Sequence, residues 1–506
     1  MKWIPVLKNQ KIVFCDWYWV DPGYGRVWSR YYDEVHSEHM AQNLKIIQRC
    51  PTISEEPIIT HEFPWEEDFF GPYLCVVEME DKLHLYYECF PSRDGKVHDK
   101  DSIMCLAQSE DGKKWTKPKL VLFPWNENFP ETNIIYRPPE NPHGVGAHGI
   151  GIFIDPLASS SDKYKLLYEG KNKFVCALSS ADGIHWKDYN DGQPIIQTHA
   201  DSQSCVFYDY RREKYVGFFR KHYMNKRMIG RSETNDFSDW PEPILIINSD
   251  PNRPVEDDYY TNAFQPWPGI PYGRTESATE TTNESDHPKF IMKPADEEIY
   301  IMFPSIYHRH ENHVDSEFWI SRTGFQWHRF KEQVVPVDSP GMSYFGKGSW
   351  VEFDGMRKLR MFNFPLMLYD LNHGEQKPAG GNFGTIHTAT WGEDRFCGIS
   401  NLKSEQTSEF WTPVIHVNSK FIFLNAIINK RGNLEVELWD DYINKSIPGF
   451  SFTDFDQMSG DVAFERLVWN GDGDVSCFDD VNLRVHFRFS RATIFSLRFF
   501  DKESRS

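Results

Sequence analysis

Short apolar runs dominate this chain, and almost none of them has helical spacing. They come in ordered triplets. Residues 73–79 are followed by 83–90 and then by 103–108. The same order recurs at 149–154, 164–170 and 174–179, at 205–208, 215–220 and 228–232, and at 261–266, 299–305 and 317–320. A further set reads 350–353, 359–364 and 385–391. Each run is rich in β-branched and aromatic residues and is bounded by Gly, Pro, Asp or Asn, which is how strands are punctuated. A three- or four-stranded antiparallel unit repeated five times predicts a five-bladed β-propeller.

A short box follows the third strand of the unit. It reads SEDGKKW from Ser109 to Trp115, SADGIHW from Ser180 to Trp186 and SRTGFQW from Ser321 to Trp327, with a looser copy, SETNDFSDW, from Ser232 to Trp240. The Asp-Gly pair suits a tight turn, because glycine takes a positive φ without steric cost. The Trp three residues on is expected to pack between neighbouring blades, a structural role.

From about Phe396 the texture changes. Runs at 412–417, 421–427, 434–439, 483–489 and 493–499 alternate apolar and polar residues without the box, the pattern of a β-sandwich. The expected architecture is all-β. Residues 1–60 form a lead-in packed on the propeller, 61–395 the propeller, and 396–506 the C-terminal β-sandwich. The polar stretch 273–287 reads as an exposed loop.

Composition narrows the functional classes. Aromatics make up 15% of the 506 residues, which suits a β-core and also sugar rings stacking on aromatic faces. The net charge of −19 argues against nucleic acid and anionic membranes, which need clustered Lys and Arg. Nine Cys occur with no CxxC pair, so reduced thiols are expected rather than a disulfide framework or a zinc ribbon. The first residues lack the apolar centre of a signal peptide, and no apolar run of about 18 residues occurs. That predicts a cytoplasmic protein unless a leader has been removed. The sequence does not set the oligomeric state.

The strand order, the boxes and the appended sandwich resemble the five-bladed propeller glycoside hydrolases of families 32 and 43. The stretches IPGFSFTDFDQMSGD (447–461) and LVWNGDGDVS (467–476) resemble the sandwich of uncharacterised family 32 relatives. The resemblance implies a glycosidase acting on a furanoside such as a fructoside or arabinoside, with a carbohydrate as partner and no cofactor. The family's Asn-Asp-Pro, Arg-Asp-Pro and Glu-Cys motifs are not in place. Tyr87-Glu88-Cys89 and Ile154-Asp155-Pro156 look like two of them, but both fall at the wrong strand positions and are read as decoys. The missing motifs keep a second reading open, a carbohydrate-binding propeller that has lost its acid/base pair.

Inner strands of a propeller converge on an axial funnel, so residues at their entries share one pocket. Glycoside hydrolysis needs two carboxyl groups across the scissile bond. Glu66, Asp201 and Asp258 are the candidate catalytic set. Asp201 is the strongest of them, with Arg220 or Arg231 as a salt-bridge partner or substrate clamp. His148, His199, Gln203, Asn262, His308, Trp350 and His373 are the candidate sugar contacts. The run YHRHENH (307–313) also offers His308, His310 and His313 as metal ligands, but contact with substrate is preferred and no metal is expected. Each of the three carboxylates has a bland alternative, since Asp and Asn cap turns and pair with Arg at strand entries regardless of function.

Overall fold

The computed structural model describes residues 4–22, 41–79, 82–93, 96–97, 101–137, 146–246, 257–268, 299–330, 332–335, 341–351, 361–373, 375, 381–479 and 481–501. The polar stretch 273–287 lies outside them, as does part of the strand expected at 359–364.

Four antiparallel sheets follow one another along the chain. Blade one is Phe70–Met79, Lys82–Cys89, Ile103–Ser109 and Ile134–Tyr136. Blade two is His148–Ile154, Tyr164–Glu169, Phe174–Ser180 and Lys187–Asp188, with Ile196–His199 also on its third strand. Blade three is Cys205–Asp209, Lys214–Tyr223, Lys226–Thr234 and Ile244–Leu245; blade four is Gln265–Pro266, Tyr300–Met302, Phe318–Ser321 and His328–Phe330. A fifth array lies within a larger eight-stranded sheet. It runs Ser349–Val351, Met361–Tyr369, Thr385–Gly392 and Thr52–Ile53. The N-terminal Thr52–Ile53 thus completes the last blade and closes the ring. The rest of that sheet extends through Met342–Phe345 to the hairpin Ser305–His308/His313–Ser316 and to Asp258–Tyr259.

The inner strands are pinned to one another at the axis. Val76 N donates to the Lys347 carbonyl at 2.9 Å, and Lys347 Nζ reaches the Ile152 carbonyl at 2.8 Å. The Gln203 amide donates to the carbonyls of Leu74 (2.8 Å) and Ile150 (3.1 Å). Asn262 Nδ2 donates to the Gln203 carbonyl at 3.0 Å, and Gly348 N to Gln265 Oε1 at 3.0 Å. All five inner strands are joined by these bonds, which satisfy backbone groups that pairing within each blade leaves over.

The boxes form the expected turns. Gly112, Gly183 and Gly324 have φ of 70°, 72° and 73°, and each donates its N–H to the box serine Oγ at 2.8 Å. Each box tryptophan meets the preceding blade. Trp186 is edge-on to Tyr86 of blade one, Trp327 to Phe218 of blade three, and Trp240 shares a core with Phe153 and Leu167 of blade two. Trp115 of blade one lines a cleft with Ser349, Asn363 and Thr388 of blade five.

In the C-terminal sandwich the expected strand pairs 421–427/434–439 and 483–489/493–499 fuse. Phe421–Asp440 and Leu483–Phe500 are single strands that pair along their length and bulge together near Ile428–Asn433. Arg431 and Arg491 take φ of 64° and 50° there. Ile422, Leu424, Val436, Leu438, Val485 and Leu497 enter one core.

The expected lead-in divides between the two units. Gln10–Val13 and Leu44–Gln48 pair with Leu483–Phe500 and Cys397–Asn401 of the C-terminal unit. Val13 and Cys15, however, pack among blade-four and blade-five residues. A buried charge network lies at the junction. Asp394 takes Lys11 Nζ at 2.5 Å, Trp267 Nε1 at 3.1 Å and Arg498 at 3.3 Å, and Arg498 also pairs with Glu393. Among the described residues, no helix is long and apolar enough to cross a membrane.

One glycine tests the axial packing. A Cβ on Gly151 would stand 1.8 Å from the Ser204 carbonyl oxygen of the next inner strand. Gly151→Ala should destabilise the chain by about 1–3 kcal/mol, the usual cost of overpacking. Urea unfolding of the two forms would show this, and an unchanged midpoint would contradict the packing described.

Candidate functional site

The site sits where the entries of blades one to three meet. Glu88 is next to last in the second strand of blade one, the one acidic residue of that strand, and it is fully buried. Ile150 N donates to its Oε1 at 3.2 Å. His148 opens the inner strand of blade two, and its ring bridges two carboxylates. Nδ1–H faces Glu88 Oε2 at 3.2 Å and Nε2–H faces Asp201 Oδ1 at 3.2 Å. Gly149 follows with φ of 76°, and a side chain there would strike the carbonyls of Ala200 and Ser202 at 2.7 Å. Glycine therefore lets the strand entry lie against the loop that carries Asp201. Arg220, buried in the second strand of blade three, completes the row by reaching Asp201 Oδ2 at 3.3 Å.

The charge states follow from this order. Burial alone would strip the proton from His148, but the two carboxylates outweigh it and carry the imidazolium up to about 10. Burial pushes Glu88 above the usual carboxylate range, opposed by His148 and by backbone N–H groups. Burial works the same way on Asp201, but the hydrogen bond from His148 and the Arg220 guanidinium win and hold it well below its ordinary value. Asp201 is thus an anion at any physiological pH, and its side chain is 36% exposed.

The walls around it are aromatic and carry spare donors. Tyr73 lies 5.0 Å from the His148 ring, and its buried hydroxyl has no hydrogen-bond partner. Arg220 gives Nη2–H to the Tyr260 carbonyl at 2.7 Å and stacks 4.9 Å from the Tyr260 ring, yet its buried Nε–H has no partner. Buried donors without partners are uncommon in folded proteins, and two of them flank an exposed carboxylate here. The Tyr260 hydroxyl meets His373 Nε2 at 3.2 Å, and His373 lies 4.3 Å from the Tyr307 ring. His199 borders the group, with its Nδ1 accepting from Asp201 N at 3.4 Å.

The expected residues divide. His148, His199, Asp201 and His373 fall within this cluster. Glu66 does not, and its candidacy is corrected. It is fully buried among Tyr87 Oη (2.6 Å), Lys117 Nζ (2.8 Å) and the N–H of Glu62 (3.0 Å). Asp258 is corrected likewise: the two nitrogens of Arg309 grip it at 2.9 and 2.8 Å, and Arg227 Nη1 adds a contact at 2.8 Å. A buried carboxylate paired this fully is a structural anchor. The side-chain N–H groups of Gln203 and Asn262 are taken up by the axial bonds. His308 turns to Asp257 and Asp315, at 3.1 and 3.2 Å. Trp350 pairs with Phe362 in the ladder, and its side chain lies outside the described residues.

Glu88, set aside as a decoy on strand position, belongs to the site. Its signal was a carboxylate within a strand whose neighbouring residues are buried on both faces. Tyr73 and Tyr260 were also missed, because aromatic residues in strands carry no such mark. The other look-alike, Asp155, accepts from Tyr215 Oη at 2.9 Å and is structural.

No family model matches the chain, and no curated protein matches it. Among solved structures it is similar to a protein titled only "Glycoside hydrolase", at 12% identity over 67% of this chain and 92% of that one, with a TM-score of 0.44. It is also similar to an N-acetylgalactosamine deacetylase from F. plautii in complex with blood group B trisaccharide, at 12% identity over 75% and 96%, TM-score 0.39. A fructofuranosidase from Schwanniomyces occidentalis complexed with fructose matches at 11% over 90% and 98%, TM-score 0.39.

The state of His148 can be checked by pH. Its pKa in the folded protein, about 10, lies well above the ordinary histidine value of about 6.5. The stability it contributes is therefore fully present below about pH 6.5 and is lost as pH rises towards 10. Wild type and His148→Gln, unfolded by urea at stepped pH, should differ most at about pH 6 and converge as pH approaches 10. A gap that stays constant over that span would refute the charged imidazole.

Proposed function

We propose that this propeller is a glycosidase whose substrate enters the axial pocket, with Asp201 as its anionic catalytic group. The observation that carries the reading is the setting of Asp201: exposed on one side and held ionised on the other by His148 and Arg220. An anion beside the anomeric carbon stabilises the oxocarbenium-like transition state of glycoside cleavage, or attacks it. Glu88 acts through His148. It keeps the imidazolium charged and turned towards Asp201, so it is a positioning residue. The free donors of Tyr73 and Arg220 suit sugar hydroxyls, and Tyr260, Tyr307 and His373 form the aromatic side of the pocket. A furanoside is the substrate class that the family resemblance suggests.

A second reading is favoured by one specific observation. Two of the three expected carboxylates, Glu66 and Asp258, are locked in buried pairs. A propeller that binds carbohydrate at the same pocket without cleaving it fits that arrangement.

A panel of aryl arabinofuranosides, fructosides and pyranosides, followed by oligosaccharides, separates the two. The glycosidase reading expects released sugar from at least one substrate. Asp201→Asn should then lower kcat by on the order of 10²–10³-fold, the range for losing one preorganised electrostatic group, with KM little changed. If no sugar is released but a glycan raises the Tm of wild type and not of Tyr73→Phe, the binding reading stands. Activity that survives Asp201→Asn unaltered would remove this pocket from the chemistry.

A further inference from the structure

The hairpin Ser305–His308/His313–Ser316 carries a second cluster. Its register places His308 directly opposite His313, and Ile306 opposite Asp315. Residues two apart in a strand share a face, and so do directly paired residues. His308, His313 and Asp315 therefore lie together on one face of the hairpin. One donor atom from each falls within 4.8 Å of the others. The two imidazole rings lie nearly parallel at 24°, with centroids 4.5 Å apart.

The bonding around the three is uneven. Asp315 is only 5% exposed. Gln333 Nε2 donates to its Oδ2 at 2.6 Å, while its Oδ1 has no hydrogen-bond partner. Buried His313 Nδ1 has none either. On the far side of His308, Nδ1 faces Asp257 Oδ2 at 3.1 Å, which leaves Nε2 on the side of Asp315. An imidazole with one nitrogen against a carboxylate and the other turned towards a shared centre has the arrangement that orients a metal-bound histidine.

We propose that His308 Nε2, His313 and Asp315 bind one divalent transition-metal ion of the zinc class, with Asp257 orienting His308. Two imidazoles and one carboxylate select a borderline metal such as Zn²⁺ over Ca²⁺ or Mg²⁺, which take all-oxygen sites. Bonds of about 2.0–2.2 Å bring tetrahedral donors to roughly 3.4 Å apart, so small side-chain rotations close the present set. Three protein ligands leave one position for water or another donor. The ion would tie the two strands of the hairpin together beside Tyr307, next to His308, whose ring lies 4.3 Å from that of His373. The proposal is independent of the glycosidase reading.

The test uses the full chain, stripped with a chelator and dialysed. Adding Co²⁺ should give one equivalent bound with the visible d–d absorption of a low-coordinate nitrogen/oxygen site, and Zn²⁺ should displace it. Zn²⁺ should also raise the Tm, whereas Mg²⁺ and Ca²⁺ should not. His313→Ala and Asp315→Asn should each weaken Zn²⁺ binding on the order of 100-fold or more, and Asp257→Asn about 10–100-fold, as expected of an orienting residue. Circular dichroism on each variant separates loss of the site from loss of the fold. The proposal is overturned if stripped wild type takes up neither ion at micromolar concentration. It is equally overturned if folded His313→Ala and Asp315→Asn bind Zn²⁺ as wild type does, or if Ca²⁺ competes equally with Zn²⁺.

Discussion

Five inner strands must approach one another at a common axis, and their leftover backbone groups must still find partners. The carbonyls of Leu74, Ile150 and Ile152 at the centre are taken by the side chains of Gln203 and Lys347. Where the strands come closest, at Gly151, the contact leaves no room for even a methyl group. Satisfied polar groups at this density fix the angular positions of the blades. The strand entries, and the pocket they border, inherit their geometry from these bonds.

The pocket follows from a second constraint, the cost of burying a carboxylate. Glu88 stays in the interior because His148 and the Ile150 N–H face it. The positive charge required there is shared with Asp201 on the other side of the ring. One buried acid thereby fixes the protonation of a histidine, and the histidine with Arg220 fixes the charge of an exposed aspartate. The mouth of the funnel gains an anion that physiological pH does not neutralise. Charge burial elsewhere does different work. Asp394, Lys11, Arg498 and Glu393 join the propeller to the C-terminal unit. Asp258 ties blade three to the hairpin through Arg227 and Arg309. Such pairs specify geometry more than they add stability.

Much of the architecture could be read in the sequence because its determinants are local. Strands alternate with a period of two, turns need Gly at positive φ, and the Ser-x-Asp/Thr-Gly-x-x-Trp box carries both its turn and its inter-blade tryptophan within seven residues. The fused strands of the C-terminal unit escaped because their bulge uses residues that also suit a hairpin turn. The lead-in divided between two units because strand partners hundreds of residues away leave no trace in a local window. Asp201 and His148 were legible as polar residues at inner-strand entries.

What the tertiary structure decided was which partner each acidic group met. Glu66, Asp201 and Asp258 look alike in sequence, each an acidic residue before an apolar strand. Lys117 and Tyr87 close over the first, Arg227 and Arg309 grip the third, and only the second keeps an open side. Glu88, which local position argued against, becomes part of the site because His148 arrives from the next blade. His308 and His313 meet through hairpin register rather than sequence spacing. Local steric preference sets the strands and turns, whereas the charge and exposure of a side chain depend on groups that only the closed ring brings within a few ångströms.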